Sequence, residues 1–227
     1  MELIFLCPRL SKDIYPSMEV SGKPLIERIV NLFDSVTDKH YTFVINSEQD
    51  KIFPNLFGGG KIVLLPGETQ GSACSALYAA VQLPKDSPLW IISANEISEL
   101  NYEKISNYFL QSTADAGVLV FQSKSDKYSY IKLDNNNKEI IQLEQNKQLS
   151  NFATTGCFWF RTCETFVNAV EKMIKKRDLH NNKYFIAPSL NQIILDGGKV
   201  AYFEIDRNQY HPAKDILDLI TIGNKMK

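Results

Sequence analysis

Residues 128–160 hold the decisive stretch: Tyr128-Ser129-Tyr130-Ile131-Lys132-Leu133, then Asp134-Asn135-Asn136-Asn137, then Glu139-Ile140-Ile141-Gln142-Leu143-Glu144, and at the end Thr155-Gly156-Cys157-Phe158-Trp159-Phe160. Each apolar run is of strand length and rich in β-branched or aromatic residues. The Asp-Asn-Asn-Asn segment has turn composition, so Tyr128–Leu133 and Glu139–Glu144 are expected to pair as a hairpin. Working back from there, Leu89–Ser93, apolar up to Ile92, suits a strand buried on both faces, and Gly71–Val81, rich in Ala, suits a helix packed closely on a sheet. Leu3–Leu6, Tyr41–Ile45, Ile62–Leu65 and Gly117–Phe121 read as further strands and Asn101–Gln111 as a helix. Leu25, Ile26, Ile29, Val30 and Phe33 recur on one helical face behind Pro24. Downstream, Thr162 is placed to cap a helix whose Phe166, Val167, Val170, Met173 and Ile174 share a side. Pro188–Leu195 reads as a helix ended by Gly197-Gly198, and Val200–Ile205 as the last strand. Strands alternating with amphipathic helices predict an α/β chain: one three-layer α/β/α, Rossmann-like domain around a mixed, mainly parallel sheet, strand-rich in its second part.

Composition removes several function classes. A formal net charge of -1 supplies no field for nucleic acid or an anionic membrane, and Lys175-Lys176-Arg177 reads as a solvated helix end. Met1-Glu2-Leu3-Ile4-Phe5-Leu6 has an acid where a secretory leader needs bases, and too short an apolar run to span a bilayer; a cytoplasmic chain without membrane insertion is expected. Cys7, Cys74, Cys157 and Cys163 lack zinc-site spacing and disulfide-scaffold density, so they read as thiols within apolar segments. His40, His180 and His211 fall at no metal-binding i, i+4 spacing, and no Ser sits in a Gly-x-Ser-x-Gly elbow. Trp90 and Trp159 are expected in the core. Tyr128 and Tyr130, alternating about Ser129, would put hydroxyls on one strand face.

Four segments in order carry a resemblance: Gly22-Lys23-Pro24-Leu25-Ile26-Glu27; Pro66-Gly67-Glu68-Thr69-Gln70-Gly71-Ser72-Ala73; Ser129-Tyr130-Ile131-Lys132-Leu133-Asp134; and Ser150-Asn151-Phe152-Ala153-Thr154-Thr155-Gly156. From Met1 to about Leu219 the chain resembles the sugar-phosphate nucleotidyltransferases, which have a glycosyltransferase-A-type fold, and looks most like their capsule-biosynthesis members. The resemblance implies transfer of a nucleotidyl group from a nucleoside triphosphate to a sugar 1-phosphate, with Mg²⁺ as cofactor and release of pyrophosphate. It implies a nucleotide-binding half over residues 1–112 and a sugar-binding half over 113–227. Gly67, Glu68, Gln70, Gly71 and Ser72 would meet the nucleotide, with backbone N–H groups at a helix start. Tyr130, Glu144, Gln145 and Gly156 would meet the sugar.

The family's charged devices are altered here. Its glycine-rich phosphate loop with an Arg is replaced by Cys7-Pro8-Arg9-Leu10-Ser11-Lys12-Asp13-Ile14-Tyr15, which leaves Arg9 and Lys12 as candidate catalytic cations. Its metal-holding Asp matches Asn95, beside Glu96; the second metal-site carboxylate matches Asp215, also the candidate catalytic acid. The Lys that follows its Glu is Gln145 after Glu144, with Lys147 two residues on. Each lost preorganised charge costs about 10²–10³ in rate, so three independent losses would total roughly 8–12 kcal/mol, although groups acting as a unit are not additive. Three readings stand: a nucleotidyltransferase with altered phosphate and metal handling; a non-catalytic relative that binds a sugar, a nucleotide or a partner enzyme of surface-polysaccharide synthesis; and a glycosyltransferase using a nucleotide-sugar. A homo-oligomer, or a complex with a polysaccharide-biosynthesis enzyme, is a further expectation.

Overall fold

The computed structural model describes residues 1–7, 17–46, 60–134, 136, 139–213 and 215–225. In chain order the elements are β1 (Glu2–Leu6), β2 (Glu19–Val20), β3 (Lys23–Pro24), α1 (Leu25–Asn31), β4 (His40–Asn46), β5 (Lys61–Leu65), α2 (Ser72–Ala80), β6 (Leu89–Ser93), β7 (Glu96–Ser98), α3 (Tyr102–Gln111), β8 (Ala116–Gln122), β9 (Tyr130–Leu133), β10 (Ile140–Glu144), β11 (Phe152–Phe160), α4 (Cys163–Lys175), α5 (Ile186–Leu195), β12 (Val200–Glu204), β13 (Tyr210–Pro212) and α6 (Ile216–Lys225). The main sheet runs β10-β9-β11-β6-β1-β4-β5, with β8 paired to β11 and β12. Strands β6, β1, β4 and β5 form a parallel block; β11 joins it antiparallel to β6, and β12 returns parallel to β8.

Alternation along each strand divides the interior into two cores. Ile4, Leu6, Leu89 and Ile91 point to the side covered by α2, α4 and α5; Leu3, Phe5, Trp90 and Ile92 point to the side covered by α1, α3 and α6. Both faces of β1 and β6 are therefore buried, which is why these strands read as unbroken apolar runs. Alanines 73, 76 and 79 of α2 are fully buried and let that helix lie close on the sheet. On the other face Phe33, Trp90, Tyr102, Phe109 and Trp159 form a continuous aromatic cluster of stacked, tilted and edge-on pairs, with the Trp90 indole N–H donating to Ser106 Oγ at 3.0 Å. Trp90 and Trp159 are core residues, as expected.

The expected hairpin is present as antiparallel β9 and β10; Asn135 and Asn137 of its turn lie outside the described residues. Thr162 caps α4 by accepting from the Thr165 N–H at 3.0 Å, and Asn101 caps α3 through Lys104. Three expectations need correction. The first strand of the hairpin begins at Tyr130, not Tyr128, because Asp126 to Tyr128 form a turn and bend. The third strand begins at Phe152, three residues earlier than expected, and its register against β8 shifts between Thr154 and Phe158, around Gly156. The strand at 200–205 is also not the last, β12 being followed by β13, which pairs with β7, and then by α6 with Leu219 and Ile222 buried. Among the described residues no helix is long and apolar enough to cross a membrane.

Candidate active site

The carboxyl ends of the parallel strands open into one cleft with two lobes. The first, of ≈ 320 Å³, is walled by Leu6, Cys7, Asn46 and Leu65 at the ends of β1, β4 and β5, by the Gly67–Ser72 turn, and by Lys183. The second, of ≈ 280 Å³, lies between Ser93, Asn95 and Glu96 after β6, the Lys127–Ser129 bend, Gln145 after β10, and Thr154–Gly156 of β11. Leu6, Ser72 and Ser93 line both lobes, so the lobes are contiguous. Ligand sites of open α/β sheets form at this end, where loops leave adjacent parallel strands.

Backbone geometry fixes the first lobe. Gly71 has φ +115°, and a Cβ there would stand 2.3 Å from the carbonyl oxygen of Tyr184. Tyr184 N–H donates to Gln70 O at 2.8 Å and its carbonyl accepts from Ala73 N–H at 3.1 Å, so the strand-to-helix turn is stapled to the segment that carries Lys183. One helix-start donor is thereby already used by protein; the turn's Thr69 hydroxyl is held by Ser75 at 2.6 Å. Gly67, Glu68, Gly71 and Ser72 line this lobe, whereas Gln70 turns its amide to Asn182 O at 3.4 Å.

In the second lobe Gly156 N–H donates to Glu96 Oε2, and a Cβ on Gly156 would lie 2.7 Å from Ser93 Cβ and 2.8 Å from that carboxylate oxygen. Ser93 Oγ donates to Asn95 Oδ1, and Ser129 Oγ donates to Gln145 Oε1. Behind Glu96 stand buried phenols and a thiol. Burial pushes the Tyr102 and Tyr210 hydroxyls well up, with the Glu96 charge adding to both, and holds the Cys157 thiol at about 12. These groups are protonated at neutral pH and supply no nucleophile. Cys163 is likewise pushed up to about 12, chiefly by burial.

The expected site residues divide accordingly. Asn95, Glu96, Gln145 and Gly156 meet in the second lobe. Tyr130 does not: its ring is fully buried and its hydroxyl donates to Ser125 O at 2.6 Å, so Tyr128 is the tyrosine that lines the cleft. Glu144 sits outside the lining, accepting from Gln142 Nε2 at 2.8 Å. Asp215 is exposed and caps the start of α6, its Oδ1 accepting from Asp218 N–H at 2.9 Å. Arg9 and Lys12 lie outside the described residues. Sequence reasoning missed Lys127, Lys183, Ser93 and the Phe185–Ala187 wall, all on loops or element ends where no periodicity marks them.

Magnesium is the cofactor that the resemblance implies; of the donors expected for it, Asn95 and Glu96 share the second lobe and Asp215 does not line it. Asn95 Oδ1 already accepts from Ser93, Glu96 Oε2 accepts from Gly156, and Asp215 is committed to a helix cap. Among the described residues no group of three His, Cys, Asp or Glu is arranged to hold a metal ion.

Comparison with known proteins fits this geometry. The nucleotidyl transferase family model matches residues 7–210, and the chain belongs to that family. The bifunctional protein GlmU of Methanococcus maripaludis is 26% identical over 169 residues, and that of Methanococcus vannielii 25% over 173; the match covers 70% of this chain but only 39% and 40% of those proteins. Among solved structures, a nucleoside-diphosphate-sugar pyrophosphorylase from Vibrio cholerae RC9 superposes with TM-score 0.83 at 18% identity, covering 99% of this chain and all of that one. HddC from Yersinia pseudotuberculosis, complexed with GMP-PN, superposes with TM-score 0.70 at 14% identity over 100% of this chain and 99% of its own. These structures share the fold.

Proposed function

We propose that this chain works in nucleotide-sugar formation for surface-polysaccharide synthesis, with the nucleotide in the Gly67–Ser72 lobe and a sugar 1-phosphate in the Lys127–Gly156 lobe. The observation that carries the reading is the contiguity of the two lobes at the strand ends, with Leu6, Ser72 and Ser93 common to both. A nucleotide in one and a sugar phosphate in the other would meet at that shared wall. There a phosphate oxygen of the sugar would attack the α-phosphorus of a triphosphate and pyrophosphate would leave. Holding the two reactants side by side is itself a large part of such catalysis. No step is assigned to Mg²⁺, and turnover is expected to be slow, because each missing charge costs about 10²–10³ in rate.

A second reading, a binding relative without turnover, is favoured by one observation: Asn95 Oδ1 and Glu96 Oε2, expected to handle metal, each already accept a hydrogen bond, from Ser93 and Gly156. A panel of nucleoside triphosphates against sugar 1-phosphates, with and without Mg²⁺, decides between them. Pyrophosphate release with one pair supports the transferase; saturable binding of the same ligands with no product supports the binding relative.

A further inference from the structure

Two residues lining the second lobe carry formal charge, Glu96 and Lys127. Glu96 turns inward, onto the Gly156 N–H and the tyrosines behind it. Gln145 spends Oε1 on Ser129 and an Nε2 proton on Asn146 at 3.0 Å, so the end of β10 presents no cation. Lys147 is exposed and does not line the lobe. Lys127 lines the lobe from the loop into β9, and among the described residues its ammonium pairs with no carboxylate.

The loop that carries Lys127 is built rather than loose. Ser123 N–H donates to Asn151 O at 2.9 Å, Ser125 N–H to Ser123 Oγ at 3.2 Å, and Lys127 N–H to Ser125 Oγ at 3.4 Å. The buried Tyr130 hydroxyl fastens the middle of the loop through Ser125 O at 2.6 Å. A point-charge donor on an anchored loop, in a lobe also lined by Ser129, Thr155 and Gln145, suits a phosphate monoester whose sugar hydroxyls meet the neutral polar groups.

We propose that Lys127 is the cation that holds the phosphate of the sugar-side ligand, and that Tyr130 is a positioning residue for it. The proposal rests on the two-lobed reading of the cleft. The test is calorimetric titration of wild type, Lys127→Gln, Lys127→Arg, Lys147→Gln and Tyr130→Phe with a panel of hexose 1-phosphates, the free hexoses and nucleoside triphosphates. Lys127→Gln is expected to weaken the hexose 1-phosphate that binds wild type by about 10- to 100-fold, the range of a charged hydrogen bond. Lys127→Arg should stay within a few-fold, Lys147→Gln should bind as wild type does, and triphosphate binding should not change in any of them. Tyr130→Phe should weaken the same ligand alone, with no further loss in the Lys127→Gln background, which general destabilisation would not reproduce. Equal hexose 1-phosphate affinity in wild type and Lys127→Gln overturns the inference and leaves the two-lobed reading standing. Absence of any hexose 1-phosphate binding to wild type overturns both.

Discussion

Gly156→Ala tests how tightly the second lobe is built. Gly156 is not in the left-handed region, so an alanine brings no backbone strain; the entire cost is steric. Its Cβ would lie 2.7 Å from Ser93 Cβ, 2.8 Å from Glu96 Oε2 and 3.0 Å from Glu96 Cδ. Glu96 must swing away, which breaks its bond from the Gly156 N–H, or β11 must part from β6. Overpacking costs about 1–3 kcal/mol and a hydrogen bond to a charged group is worth about 1.5–3 kcal/mol. Since either movement relieves part of the clash, about 2–4 kcal/mol is expected. For a domain of this size that is a fall in Tm of about 5–15 °C, measured by calorimetry and by urea melts with unchanged m. Ser93→Gly, which removes the nearest atom, should restore part of the loss in the double variant. A Tm within about 1 °C of wild type for Gly156→Ala would refute the packing argument.

Gly71→Ala should cost more, about 3–5 kcal/mol, because φ +115° is strained for alanine and the atoms met, Tyr184 O at 2.3 Å and N at 2.8 Å, are backbone. Gly67→Ala, with nothing within 4 Å of its Cβ, should change stability by less than about 0.5 kcal/mol; equal melts for the two variants would contradict the stapled turn. Stability should hold steady from neutral pH to about pH 8.5 and then fall toward pH 12. Tyr102, Tyr210, Cys157 and Cys163 all have folded pKa values raised by burial, so their contribution is complete below the unfolded values and is lost as pH rises through the folded ones. Guanidinium melts between pH 7 and 11 check this, and a flat profile would be wrong for these burials. Asn95→Asp should lower Tm without divalent cation, by placing a second carboxylate beside Glu96, and should gain Mg²⁺-dependent stabilisation that wild type lacks. An equal Mg²⁺ response in both proteins would contradict the account of the metal donors.

Much of the sheet was legible because burial on both faces leaves a direct mark: Leu89–Ile92 and Leu3–Leu6 have no polar position to confuse with a loop. The capped helices α3 and α4 were legible for a similar local reason, Asn101 and Thr162 standing where the first turn needs an acceptor. The β7–β13 pair was not, since strands of three residues so far apart in sequence have no period to read. Helix α6 was missed because Ile216, Leu217 and Ile220 are exposed while Leu219 and Ile222 are buried, so its apolar residues outline no single face. At the site, Asn95 and Glu96 beside strand ends, and Gly156 at the register shift of β11, followed from motif order. Lys127 and Lys183 did not, because a lysine on a loop carries no signal until the fold brings it to a cleft. Tyr130 was misplaced by assuming that strand alternation reached back to Tyr128, where the chain in fact bends.

The most direct measurement of the central claim is a thermal-shift screen of the wild-type chain against nucleoside triphosphates, nucleotide-sugars and sugar 1-phosphates, each with and without Mg²⁺. A ligand at about 100-fold its Kd adds roughly 2.7 kcal/mol to the folded state, well above the resolution of the method. The two-lobed cleft requires stabilisation by at least one nucleotide or nucleotide-sugar and, separately, by at least one sugar 1-phosphate. A chain whose Tm moves with none of them would contradict it.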